Sequence, residues 1–106
     1  MNYSVSWTAR ALERLRLILD YIAEDNPDAA LGMVDRISER VSNLGQTPEQ
    51  GSRYQDSAMG GLRQIYVRPY RVVYLVDHAG ERVRVMAIQH VRENAMLPEE
   101  LLEDHE

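Results

Sequence analysis

The sequence predicts an α+β fold in which a helical hairpin packs on a small antiparallel sheet. The predicted order is β-α-α-β-β-β, with room for a short C-terminal helix over 98–103. Three observations lead there. Residues 60–92 hold three segments rich in Val, Ile and Tyr, separated by Pro69 and then by the turn-forming stretch 77–81 with Gly80. Gaps this short join antiparallel neighbours, because a parallel crossover needs about a dozen residues or more. Residues 9–44 carry two apolar stripes at helical spacing, each able to bury one helix face. Ahead of them, Tyr3-Ser4-Val5-Ser6-Trp7 alternates in the manner of a strand.

Each element has its own signals. Thr8 suits the N-cap of a helix over 9–25, where Ala11, Leu15, Ile18 and Ile22 form the stripe and Leu12 and Leu19 widen it. Asn26-Pro27-Asp28 restarts the chain as a second helix over 27–44: Asn26 caps, Pro27 fits the first helical position, and Asp28 complements the dipole. There Ala30, Val34, Ile37, Val41 and Leu44 make the seam, and Gly45 is the expected C-cap. With almost no linker, the two helices form an antiparallel hairpin. Residues 46–58 contain Pro48, Gly51, Ser52 and Ser57 without periodicity and read as a long loop, the kind that is functional or mobile. Gly60-Gly61 opens the meander. The most buried positions are expected to include Leu15, Ile18, Ile22, Val34, Ile37, Val41, Val73 and Leu75.

The 106 residues fit a single domain over 1–106, of which 93–106 form an acidic C-terminal extension. The absence of cysteine excludes disulfides, thiolate metal sites and cysteine nucleophiles, and suits a reducing compartment. The longest apolar run, 72–76, falls far short of the roughly 20 residues of a membrane span. No secretory leader pattern is visible at the N-terminus, so no membrane association is expected and a cytoplasmic location is. The net charge of −5 is unevenly spread: −3 over 1–52, +4 over 53–92 and −6 over 93–106. All twelve cationic residues are Arg, whose planar fork suits carboxylate or phosphate.

Few chemistries fit the remaining residues. Gly60-Gly61 is not followed by a helix, so it is no phosphate loop. His78, His90 and His105 have no ligand spacing, and neither a metal nor a cofactor is expected. No Ser sits in a nucleophile elbow. Strict alternation in the last strand puts Arg82, Arg84, Met86, Ile88, His90 and Arg92 on one face. The geometry of neighbouring strands then allows a cluster of Arg63, Arg71, His90 and Arg92, suited to phosphate contact or to stabilising charge in RNA cleavage. Against this stands the plainer reading that each arginine pairs with an acid or keeps the sheet soluble.

Taken together, several short motifs resemble ParE-type toxins of the RelE/ParE superfamily of bacterial toxin–antitoxin modules. They are Ser6-Trp7-Thr8, Tyr21-Ile22-Ala23, Asn26-Pro27-Asp28-Ala29-Ala30, Pro48 with Gly51-Ser52-Arg53, Gly61-Leu62-Arg63, Tyr70-Arg71-Val72-Val73-Tyr74 and Ile88-Gln89-His90-Val91-Arg92. The resemblance covers about residues 3–92 and implies a RelE/ParE-like fold. It also implies a toxin that inhibits DNA gyrase by binding, a cognate antitoxin that wraps and neutralises it in a hetero-oligomer, and a part in plasmid stabilisation. On that reading no residue is catalytic, and Arg53, Arg63, Arg71, His90 and Arg92 are candidates for target binding. The alternative within the superfamily is a ribosome-dependent mRNA endoribonuclease of the RelE type, relying on Arg63, Arg71, His90 and Arg92. Lysines are absent here, and Met96 and Leu97 stand where that chemistry calls for a C-terminal aromatic or His base. A third alternative is a decayed toxin that retains only antitoxin binding.

Overall fold

The two helices begin where their capping residues place them. In the computed structural model, which describes residues 2–55 and 61–102, Thr8 Oγ1 accepts the Ala11 N–H at 3.1 Å and opens α1 (Ala9–Asp25). Asn26 closes α1 through its N–H to the Ile22 carbonyl, and its Oδ1 accepts the Ala29 N–H at 3.1 Å to open α2 (Pro27–Asn43). One residue thus serves both helix ends, which is why the hairpin needs almost no linker. Gly45 is not the left-handed C-cap the sequence suggested. Leu44 caps α2 in a right-handed conformation, and Gly45 accepts the Tyr3 N–H at 2.7 Å. A Cβ on Gly45 would lie 2.7 Å from the Tyr3 carbonyl, so the glycine is needed for close approach of the N-terminal strand.

The strands are β1 (Ser4–Trp7), β2 (Ser52–Arg53), β3 (Leu62–Val67), β4 (Tyr70–Asp77) and β5 (Arg82–His90), in the spatial order β1-β5-β4-β3-β2. β3, β4 and β5 form the predicted antiparallel meander. β2 is a two-residue edge strand inside the stretch read as a loop; residues 56–58 of that stretch, and 59–60 with the Gly60 read as opening the meander, lie outside the described residues. β1 runs parallel to β5, from Ser4 opposite Arg82 to Trp7 opposite Val85, so the sheet is mixed. The direction follows from the chain path. Two helices carry the chain out past Trp7 and back to the end of the sheet where β1 began, at the Gly45–Tyr3 contact. β2 runs toward that end, and the alternation from β2 through β5 then leaves β5 pointing the same way as β1.

The hairpin covers one sheet face. Ala11, Ile18, Met33, Ile37, Val41 and Leu44 pack there on Ile65, Val67, Tyr70, Val72, Tyr74, Val76, Val83, Val85 and Ile88. Of the positions predicted as core, Ile18, Ile37 and Val41 are buried here and Val73 is buried on the other face, whereas Leu15, Ile22, Val34 and Leu75 are only partly buried. The buried stripe of α2 centres on Ala30, Met33, Ile37 and Val41, which leaves Val34 on its flank. Leu12, read as widening the α1 stripe, is exposed.

The second face has its own cluster: Tyr54, Leu62, Val73, Met86, Ala87 and Leu101. Leu101 lies in α3 (Pro98–Leu102), so the start of the acidic extension closes over the sheet. The buried Gln89 side chain holds the approach to α3, donating to the Asn94 carbonyl at 3.2 Å and accepting the Met96 N–H at 3.3 Å. Tyr54 adds a bond from its hydroxyl to the Met96 carbonyl at 2.6 Å. The rest of the extension, 103–106, lies outside the described residues.

Candidate functional site

A single irregularity in β5 decides where the candidate residues point. Val73 pairs with Ala87 and Tyr74 with Val85, which leaves Met86 as an extra residue opposite the Val73–Tyr74 step. Such a bulge interrupts the alternation of faces. Val83 and Val85 face the helices, Met86 and Ala87 face the opposite side, and Ile88 faces the helices again. The expectation that Arg82, Arg84, Met86, Ile88, His90 and Arg92 share one face is therefore corrected: Ile88 and His90 turn to the helical side.

His90 sits against Tyr70, their rings edge-to-face with centroids 5.6 Å apart. The two residues line a cleft of about 280 Å³ with Arg14, Leu17, Ile18 and Tyr21 of α1. The His90 ring is oriented locally, since its Nδ1 accepts the Arg92 N–H at 3.1 Å. Glu93 accepts the His90 N–H at 2.9 Å and pairs with the Arg14 guanidinium, tying the end of β5 to α1. Burial, outweighing the opposing influence of Arg14, pushes the Tyr70 hydroxyl above its ordinary pKa.

Arg71 lies on the opposite face, across from Gln89 in the register, and its Nη2 donates to the Val91 carbonyl at 3.1 Å. Arg63 belongs to the helical side, opposite Tyr74. Its Nη1 donates to the Gly51 carbonyl at 2.7 Å and, at a longer 3.4 Å, to that of Glu49. The same loop is held by the buried Tyr74 hydroxyl, which accepts the Gly51 N–H at 2.9 Å and donates to the Pro48 carbonyl at 2.8 Å. A Cβ at Gly51 would lie 2.4 Å from the Gln64 carbonyl, so only glycine fits this clamp. Desolvation raises the Tyr74 pKa, which keeps the hydroxyl protonated and donating at neutral pH.

Arg53 and Arg63 are direct cross-strand partners. They line a cavity of about 240 Å³ together with Glu49 and His78. His78 is a participant that sequence spacing does not reveal: its Nε2 is 3.0 Å from Glu49 Oε2 and its Nδ1 is 2.7 Å from the Tyr3 hydroxyl. These three residues come from the N-terminus, the loop after α2 and the β4–β5 turn, so only the fold brings them together. Arg92 is exposed in the turn after β5.

The structure thus brings Arg53 and Arg63 together and separates them from Arg71, while His90 and Arg71 occupy opposite faces. The cluster of Arg63, Arg71, His90 and Arg92 that strict alternation allowed is not formed. Among the described residues no group of His and acids could hold a metal ion, and no helix is long and apolar enough to cross a membrane.

A two-helix hairpin on a five-stranded mixed sheet matches the solved structures of RelE/ParE toxins, and the comparisons with known proteins agree. A chromosomal ParDE toxin–antitoxin system from P. aeruginosa superposes with a TM-score of 0.68 at 30% identity, over 85% of this chain and 97% of that one. Toxin RelE2 of Caulobacter vibrioides is 37% identical over 87 residues, 81% of this chain and 92% of its own length. Y4kP of Sinorhizobium fredii is 34% identical over 92 residues, 84% of this chain and 88% of its own length. Residues 5–95 match the model of the ParE toxin of the type II toxin–antitoxin system parDE, and the chain belongs to that family.

Proposed function

We propose that this toxin acts by binding DNA gyrase, without a catalytic residue of its own, and that a cognate antitoxin neutralises it in a cytoplasmic hetero-oligomer. We read the chain as a single toxin domain with 93–106 as its C-terminal extension. The observation that supports the gyrase reading is the divergence of Arg63, Arg71 and His90. Cleaving RNA calls for a base and charge stabilisers converging on the same few atoms. Here the His90 ring faces α1, Arg71 projects from the opposite sheet face, and Arg63 is engaged with loop carbonyls. Cations spread over a surface suit a distributed protein interface, in which a few well-packed anchors carry most of the energy and exposed charges add little each.

The test is purified toxin with gyrase and supercoiled plasmid, run beside a translating-ribosome cleavage assay. Inhibition of gyrase is the expected result, and single replacements of Arg53, Arg71 or Arg92 by Ala should weaken it in steps. Messenger RNA cut in the ribosomal A site, with supercoiling untouched, would overturn the proposal. Co-expression with the neighbouring reading frame should yield a stable complex; normal recovery of the toxin alone from a healthy host would point to a decayed toxin.

A further inference from the structure

Tyr66 anchors a cationic corner of which the readings above use only Arg71. The tyrosine is 37% exposed and stands opposite Arg71 in the β3–β4 register. The Arg68 guanidinium carbon lies 4.7 Å from the centroid of its ring. Its carbonyl, past the point where β2 stops pairing, accepts Arg40 Nη1 at 3.0 Å. One guanidinium, from the hairpin tip, thus stacks on the Tyr66 ring, and a second, from α2, reaches its backbone carbonyl. Arg71 is the cross-strand neighbour of Tyr66 on the same sheet face, with its own guanidinium on the Val91 carbonyl. None of the three is ion-paired with an acid among the described residues, whereas Arg14, Arg16 and Arg82 each have a carboxylate partner. Glu100, whose charge reaches Tyr54 along with that of Arg71, has its carboxylate on the Leu97 N–H at 2.9 Å. Arg71 Nε is buried without a hydrogen-bond partner. Like charges held together repel, and in a chain of net charge −5 this corner is poised for an anion.

We infer that the corner contacts the phosphodiester backbone of DNA. The inference rests on the gyrase reading and deepens it: the toxin touches the DNA that gyrase holds as well as the enzyme. Guanidinium forks match phosphate oxygens, and the tyrosine offers an apolar edge to sugar or base. A protein segment adding itself as a strand fits less well, because Arg40 already occupies the Tyr66 carbonyl that such a strand would need. The contact reads no base edge and is sequence-independent.

The experiment measures the affinity of the full chain for a labelled DNA duplex across a salt series, with toxin binding to gyrase measured separately without DNA. Arg68→Gln and Arg40→Gln should each weaken duplex binding by about 3–10-fold at low salt and flatten the salt slope by about one unit. Arg16→Gln makes the same charge change on the exposed face of α1 and should do neither. Equal effects from Arg16→Gln and Arg68→Gln, or slopes that none of the variants moves, would overturn the inference. So would variants that weaken antitoxin binding while duplex affinity stays unchanged, since the corner would then belong to the protein partner. If gyrase binds and duplex affinity ignores Arg68→Gln, the inference fails while the gyrase reading stands. If duplex binding falls as expected but gyrase is not bound, the DNA contact is supported and the gyrase reading alone fails.

Discussion

The two faces of the sheet are built by different means. The helical face is filled by regular stripes: α1 and α2 lay Ile18, Met33, Ile37 and Val41 onto alternate residues of β3, β4 and β5. The opposite face is filled from scattered sources: Tyr54 after β2, Met86 at a bulge and Leu101 in a five-residue helix. One face rests on periodicity and the other on single residues arriving from distant points of the chain. The first should tolerate local disturbance poorly because its elements are long and mutually packed; the second can give way by undocking α3.

The sharpest way to break that contrast is to truncate one side chain on each face. Ile37→Ala should cost about 2–5 kcal/mol in denaturant unfolding, as a fully buried position without room to collapse. A melt unchanged by that substitution would sink the packing scheme. Leu101→Ala should cost about 2 kcal/mol, the low end for a buried leucine, because undocking of α3 limits the loss. Its signature should be faster amide exchange confined to the 94–102 region. A cost as large as that of Ile37→Ala, with global exchange, would make the two faces mechanically equivalent.

Tyr74→Phe probes the loop clamp and should cost about 1–2 kcal/mol, since the Gly51 N–H loses its partner in a buried setting. The same residue sets an alkaline limit. Burial raises the hydroxyl pKa of Tyr74, Tyr54 and Tyr70 in the folded state. Above the ordinary tyrosine pKa of about 10 the unfolded chain therefore releases protons that the folded chain keeps, and stability falls as pH rises. Tyr74→Phe should make that decline shallower; an unchanged slope would remove Tyr74 from the account. The smallest effect concerns Asp77, whose carboxyl is held below the usual range by the Arg82 hydrogen bond and then by the Gly80 N–H. Its contribution is present above the unfolded carboxylate pKa and lost as pH falls through the lower folded value. Asp77→Asn should slightly flatten the acid limb of the stability curve and leave the alkaline limb untouched.

The same contrast explains what could be read from the sequence. The helical face was legible because Thr8 and Asn26-Pro27 mark helix starts and the stripes repeat, and the meander because its gaps admit only antiparallel neighbours. The opposite face was not. Nothing in the composition around Met86 marks a bulge, and that one residue turned His90 to the other side and dissolved the expected cationic cluster. Leu101 sits in the stretch read as a short helix within an acidic extension, and only its burial identifies it as core. Gly45 looked like a helix stop but is small because β1 passes close by, a long-range contact that local pattern does not carry. The Glu49, His78 and Tyr3 chain and the Tyr66 corner are products of the fold for the same reason.

The parallel pairing of β1 with β5 also sets an order of events during synthesis. Arg82 follows its partner Ser4 by 78 residues (82 − 4). At roughly 5–20 residues per second, the first strand waits about 4–16 s for the backbone that will pair with it. Until then the hairpin can form but the sheet lacks its β5 neighbours, and the Tyr70–His90 contact does not exist. A chain interrupted before β5 therefore lacks the strand that joins β1 to β4, so that the complete toxin surface emerges only once β5 has been made.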